Sequence, residues 1–117
     1  MLPKQFRLKN RLAFNATYRI KNTTHKGGIT LFAGLKKKDL TTNTRVGFVV
    51  SKKTHKRAVK RNRLKRLMRE SYRLILKSNE LGNSQEYMSL IFVGSEKALG
   101  KPFEEIKNNI NVLIQRL

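Results

Sequence analysis

From Ala58 to Lys77 the chain holds a helical period and carries two chemistries on it. Leu64, Leu67, Met68, Ser71 and Ile75 follow the i, i+3, i+4, i+7, i+11 spacing of a buried stripe. At 100° per residue, Asn62, Lys65, Arg66, Arg69 and Arg73 fall on the opposite side. Such a helix must lay its apolar stripe on another layer and leave its cations in water. That requirement excludes an isolated helix and calls for a sheet or further helices beside it.

The neighbouring segments supply those layers. Asn10 is placed to cap a first helix over 11–20, with Phe14 and Tyr18 four residues apart on one face, and Gly27-Gly28 lies beyond its end. Residues 29–35 alternate, with Ile29, Leu31, Ala33 and Leu35 on one side, and residues 45–50 place Val46, Phe48 and Val50 together. Both read as strands, and as sequence neighbours across a basic turn over 36–44 they are expected to pair antiparallel. Residues 87–93 are an apolar run suited to a central strand, and the strand–helix–strand unit from Arg45 to Val93 predicts two parallel neighbours. Pro102 is expected at the first position of a last helix, buried through Phe103, Ile106, Ile110, Leu113 and Leu117. The whole predicts one α+β domain over 1–117.

Charge then narrows the function. The 117 residues hold 27 Lys+Arg against 7 Asp+Glu, for a net +20. Residues 1–77 have 23 basic and 2 acidic side chains, whereas residues 78–117 have 4 and 5. Ser51–Lys77 alone holds 12 basic residues and one acid. A field so one-sided is expected to serve a polyanionic partner, nucleic acid above all. No run approaches the ~20 apolar residues of a membrane span, and the basic start has no signal-peptide core. With no cysteine, the expected compartment is the reducing cytoplasm. His25 and His55 lie in polar segments without carboxylates at metal-ligand spacing, and no phosphate loop, GxSxG or HExxH occurs. A protein-borne active site is therefore not expected, nor is a metal bound by the protein. No helix-turn-helix spacing points to DNA.

Arg45-Val-Gly-Phe-Val-Val-Ser-Lys-Lys53, then Ala58-Val-Lys-Arg-Asn-Arg-Leu-Lys-Arg66 and Met68-Arg-Glu70, resemble the bacterial ribonuclease P protein component and its RNR signature. The similarity extends upstream to Arg7-Leu-Lys and Phe14/Tyr18, and downstream through the last strand and helix. It implies an α-β-β-β-α-β-α order in a mixed four-stranded sheet, with an additional strand near residues 23–28 and an unusual left-handed β-α-β crossover around the basic helix, against the general rule.

The resemblance also implies a role. The chain would be the protein subunit of the ribonucleoprotein that removes the 5′ leader from precursor tRNA, with chemistry at magnesium on the catalytic RNA. Lys52, Lys53, Arg57, Lys60, Arg61, Asn62, Arg63, Lys65, Arg66, Arg69 and Arg73 would contact the RNA subunit. Phe14, Tyr18, Phe32 and Arg45 would line the path of the leader. Guanidinium groups suit phosphates, and aromatic faces stack unpaired bases with little sequence preference. Without the resemblance, the same residues would equally suit a small ribosomal or other structural RNA-binding protein. Two departures stand out. The family's Gly-Asn before Ala-Val is replaced by Thr54-His-Lys-Arg57 in a loop one residue longer, and Val93-Gly-Ser-Glu-Lys-Ala98 follows the last strand where the family often has Arg near Ala.

Overall fold

Ser89–Gly94, the most apolar strand, takes the interior of the sheet and decides how the others are arranged around it. The computed structural model describes residues 2–39 and 41–117; Leu40, in the expected basic turn, lies outside them. The elements in chain order are α1 (Arg11–Ile20), β1 (Asn22–Lys26), β2 (Ile29–Ala33), β3 (Arg45–Val50), α2 (Ala58–Ser78), β4 (Ser89–Gly94) and α3 (Phe103–Gln115). Short 3-10 turns occupy Lys4–Phe6, Gly82–Glu86 and Glu96–Ala98. The fold class is α+β, as expected.

The strand order is β1-β2-β4-β3. β3 and β4 run parallel in register from Arg45↔Ser89 to Val50↔Gly94, so the strand–helix–strand expectation holds. The antiparallel pairing expected between β2 and β3 does not: β4 lies between them and pairs antiparallel with β2. The physical reason is burial. Leu90, Ile91 and Phe92 are all inaccessible, so β4 needs cover on both faces and a partner on both edges. The outer edge of β3 is lined by the N-terminal segment, where the Leu8 amide donates to the Val46 carbonyl at 2.9 Å.

The expected additional strand is β1. It is polar and mostly exposed, and it is aligned on β2 by a turn in which Gly27 and Gly28 take φ of 60° and 86°. Side chains rarely adopt that pair of angles, and Gly-Gly supplies it freely.

Alternation divides the sheet. Leu31, Val46, Leu90 and Phe92 face α2 and α3 in the main core. The stripe of α2 is wider than expected, because fully buried Tyr72 joins Leu64, Met68, Ser71 and Ile75 while Leu67 is only partly buried. Phe48 stacks on Phe92 with centroids 5.7 Å apart and meets Tyr72 edge-on at 6.2 Å. Ile106, Ile110 and Leu113 of α3 are buried as expected; Phe103 and Leu117 are half-exposed. Pro102 stands one residue outside the helix, at its cap, and its carbonyl accepts from Glu105 and Ile106. Leu35 falls past the end of β2 and is 60% exposed, away from the face it was expected to share.

The Tyr72 hydroxyl accepts a hydrogen bond from Gln85 Nε2 at 3.1 Å, and burial pushes its ionisation up to about 12 from 10.0. The neutral phenol is favoured in the fold, so its contribution is complete below pH 10 and disappears as pH rises toward about 12. Over that interval the wild type is expected to lose about 2–3 kcal/mol that a Tyr72→Phe variant does not lose. Urea unfolding of both proteins at pH 9 and pH 12 measures the difference.

Candidate nucleic-acid interface

The cations of α2 are not equivalent. Lys52, Lys53, Arg57, Lys60, Asn62 and Arg66 are exposed, while Arg61, Arg63, Lys65, Arg69 and Arg73 are half-buried. Two of the half-buried arginines are already engaged. Arg61 Nη1 donates to the carbonyls of His55 and Lys56 at 2.6 and 2.9 Å, tying the loop that leads into α2 to the helix's first turn. Arg57, at the cap position, makes no side-chain capping bond, so this tie and the bond from the Arg57 amide to His55 Nδ1 at 3.0 Å hold the helix start. Arg73 forms a two-pronged pair with Glu70, at 2.5 and 3.0 Å. That hydrogen bond holds the Glu70 carboxyl below its ordinary range and raises the Arg73 guanidinium above its own. The remaining cations are free of ion pairs among the described residues, and they form a continuous basic face from the Ser51–Arg57 loop along α2.

On the other face of the sheet lies α1. Its N-cap is as expected: the Asn10 side chain accepts from the Leu12 amide at 2.8 Å. Buried Thr17 points at the sheet and shares a 2.5 Å hydroxyl hydrogen bond with Ser89, while its own proton can go to the Ala13 carbonyl at 2.8 Å. The close approach depends on Gly47, where a Cβ would come within 2.5 Å of the Phe14 ring. Nothing in the β3 pattern signals that function, except that a glycine stands in a strand where a larger residue would be expected.

Phe14 and Tyr18 project from one flank of α1 and reach Phe32 on β2. Ring centroids are 6.5 Å apart for Phe14–Tyr18 and 4.8 Å for Tyr18–Phe32, the latter edge-to-face at 88°. All three are half-buried, between core and surface. Partial burial also raises the Tyr18 phenol's ionisation above its ordinary value. Past the rings, the sheet continues uncovered by α1 along half-buried Thr30, Val93 and Val49, which sit side by side in register. The result is a shallow trough with aromatic groups on one side and an apolar floor.

Arg45 is not in that trough. It lines a groove on the opposite flank of α1, together with Ala13, Ala16, Thr17, Leu35 and Met88. Arg69, by contrast, shares a small cavity with Phe14, Gly47, Arg7 and Lys9, so the basic helix and the aromatic flank meet there. Lys9 in this corner is held below its usual range by desolvation and by the charges of Lys4, Arg7 and Arg45. Among the described residues, no group of three or more His, Asp or Glu side chains could hold a metal ion, and no helix is long and apolar enough to cross a membrane.

The geometry therefore offers an exposed cationic helix face and a half-open aromatic trough on one small body, meeting at Arg69 and Phe14. Comparisons with known proteins point the same way. The family model described as Ribonuclease P matches residues 2–117. A Clostridium kluyveri protein named ribonuclease P protein component is 32% identical over 95% of this chain and 93% of its own length. A Symbiobacterium thermophilum protein of the same name is 32% identical over 98% of this chain and 93% of its own. The solved ribonuclease P protein from Thermotoga maritima superposes with a TM-score of 0.75 at 20% identity, covering 95% of this chain and 96% of that one.

Proposed function

The chain belongs to the ribonuclease P protein component family, and from that premise we propose how its two surfaces divide the work of tRNA 5′ maturation. It is a protein subunit of the ribonucleoprotein, and its partner is RNA. In our reading the basic face of α2 binds the catalytic RNA subunit through Lys52, Lys53, Arg57, Lys60, Asn62, Arg63, Lys65, Arg66 and Arg69. Arg61 and Arg73 act differently: the first keeps the helix start in place, and the second reaches phosphate only by leaving Glu70.

The trough beside α1 receives the single-stranded 5′ leader of precursor tRNA. The observation that carries this is the half-exposed ring set of Phe14, Tyr18 and Phe32 beside an uncovered sheet floor. Rings that served only the core would be closed off. Half-open rings can stack unpaired bases while neighbouring cations hold the backbone. Cleavage itself is assigned to magnesium held by the RNA subunit. The protein's face of unpaired cations suits phosphate and repels a divalent ion. The site of action in this reading is the cytoplasm, where precursor tRNA is matured.

Reconstitution with a bacterial ribonuclease P RNA tests the assignment. Added protein is expected to permit 5′ cleavage at low magnesium, and RNA-free protein to cleave nothing. Phe14→Ala with Tyr18→Ala is expected to weaken binding of a leader-bearing precursor by about 1–3 kcal/mol per lost stacking contact while binding of mature tRNA is retained. Equal losses for both RNAs would return the rings to a purely structural role.

A further inference from the structure

The α1 helix has a second apolar flank. Measured around the helix from sheet-facing Thr17, Phe14 and Tyr18 lie on one side, and Leu12, Ala13, Ala16 and Ile20 lie on the other. On that second side, Leu12 is 75% exposed, Leu35 60% and Met88 54%. Leu35 and Met88 are adjacent, since the Met88 amide donates to the Leu35 carbonyl at 2.8 Å. The small Ala13 and Ala16 leave a groove of about 230 Å³ between them and Leu35, Met88 and Arg45. A polar hollow of about 420 Å³ adjoins it, sharing Arg45 and Met88 and walled by Gln5, Thr41, Thr42 and Asn43.

Size and charge limit what fits. The groove is smaller than the ~300–1,000 Å³ of drug-sized pockets and suits a single flat ring system. No Asp or Glu lines the groove or the hollow, and Arg45 stands where they meet. Lys9, close enough to Arg45 to feel its charge, adds to the positive border. A second copy of this chain, itself carrying +20, would be repelled from such a border. An anionic chain with an exposed ring is attracted.

We propose that this groove seats an unpaired nucleobase of the catalytic RNA subunit, with the adjoining backbone held by Arg45 and the polar hollow. The thioether of Met88 and the guanidinium of Arg45 both favour contact with a ring face. The body of α1 separates this base from the leader trough, so the helix is gripped on both flanks by different RNA strands. The inference rests on the reading that the chain binds the catalytic RNA; it does not depend on where the leader runs.

The absence of cysteine permits a clean test with single-cysteine variants carrying a short photo-cross-linker. Val59, 77% exposed on the cationic side of α2, serves as the reporter of RNA-subunit docking, and Thr30 on the trough floor as the reporter of the leader. In the reconstituted holoenzyme, first without precursor and then with it, Met88→Cys is expected to cross-link to one discrete unpaired stretch of the RNA subunit. Leu35→Asp with Met88→Asp, both at exposed positions, is expected to lower RNA-subunit affinity at least about tenfold with an unchanged circular dichroism spectrum, whereas Met88→Leu, which keeps the apolar volume without the sulfur, lowers it less. Cross-links from position 88 only to a second protein copy, only to the leader, or to no RNA while Val59→Cys still reaches it, would overturn the proposal. A failure of the leader reading is separately visible as a Thr30→Cys variant that never reaches the leader.

Discussion

A fourfold rise in monovalent salt is expected to weaken binding of the catalytic RNA about a thousandfold, if about six phosphates are neutralised. The number follows from the α2 surface. Lys52, Lys53, Arg57, Lys60 and Arg66 are exposed and unpaired, and half-buried Arg63, Lys65 and Arg69 border them. Each phosphate neutralised releases condensed counterions, so the affinity falls with salt in proportion to their number. Filter binding from 50 to 200 mM salt gives the slope; a nearly flat line would mean that the basic face is only solvated. Single variants sharpen the result. Arg66→Ala is expected to reduce the slope by about one. Arg61→Ala is expected to leave the slope almost unchanged and to lower the melting temperature instead, because its guanidinium is occupied by the His55 and Lys56 carbonyls.

The contrast between Arg61 and Arg66 shows which part of the interface a linear sequence can carry. Helical period and charge placed both residues on a basic helix, and the family resemblance named both as expected RNA contacts. The direction in which Arg61 turns is set by the His55 and Lys56 carbonyls of the loop before the helix, and nothing in the spacing encodes that. The resemblance placed Arg45 among the expected leader contacts, yet its flank of α1 depends on how the helix crosses the sheet. That crossing depends on Gly47, a missing side chain rather than a present one. The aromatic set and its half-exposure were legible only through the resemblance, since without it an i, i+4 pair of rings suits a core at least as well.

The fold divides in the same manner. The helices were legible to within a residue or two because amphipathic period and caps are local. Strand pairing is not local. The run over 29–35 and the one over 45–50 looked like partners because they follow one another, and only the burial demand of β4 separates them. β1 has no apolar pattern at all. Its place comes from the Gly27-Gly28 turn, which in sequence reads equally as the end of the preceding helix.

Phe92→Ala should be the most damaging single change, and it should be partly reversed by RNA. Phe92 is inaccessible at the middle of β4, stacked on Phe48 at 5.7 Å and 5.9 Å from Tyr72. Removing such a ring costs about 3–5 kcal/mol from lost transfer energy and the cavity left behind. A domain of this size has only about 5–15 kcal/mol in total, so the free variant is expected to melt well below the wild type and to be substantially unfolded at growth temperature. Phe92 nevertheless faces the core, against the buried stripe of α2 rather than its exposed cations, and on the opposite side of the sheet from the proposed leader trough. Binding to the folded state alone therefore restores stability through mass action, by about 2.7 kcal/mol when the RNA stands at a hundred times its dissociation constant. Thermal melts without RNA and precursor cleavage with excess RNA separate the two terms. The expected pattern is a low melting temperature together with cleavage that recovers as RNA concentration rises. Cleavage that stays absent at saturating RNA would mean that β4 also positions the trough, through Ile91 and Val93 on its other face, and that core and interface are not separable in this chain.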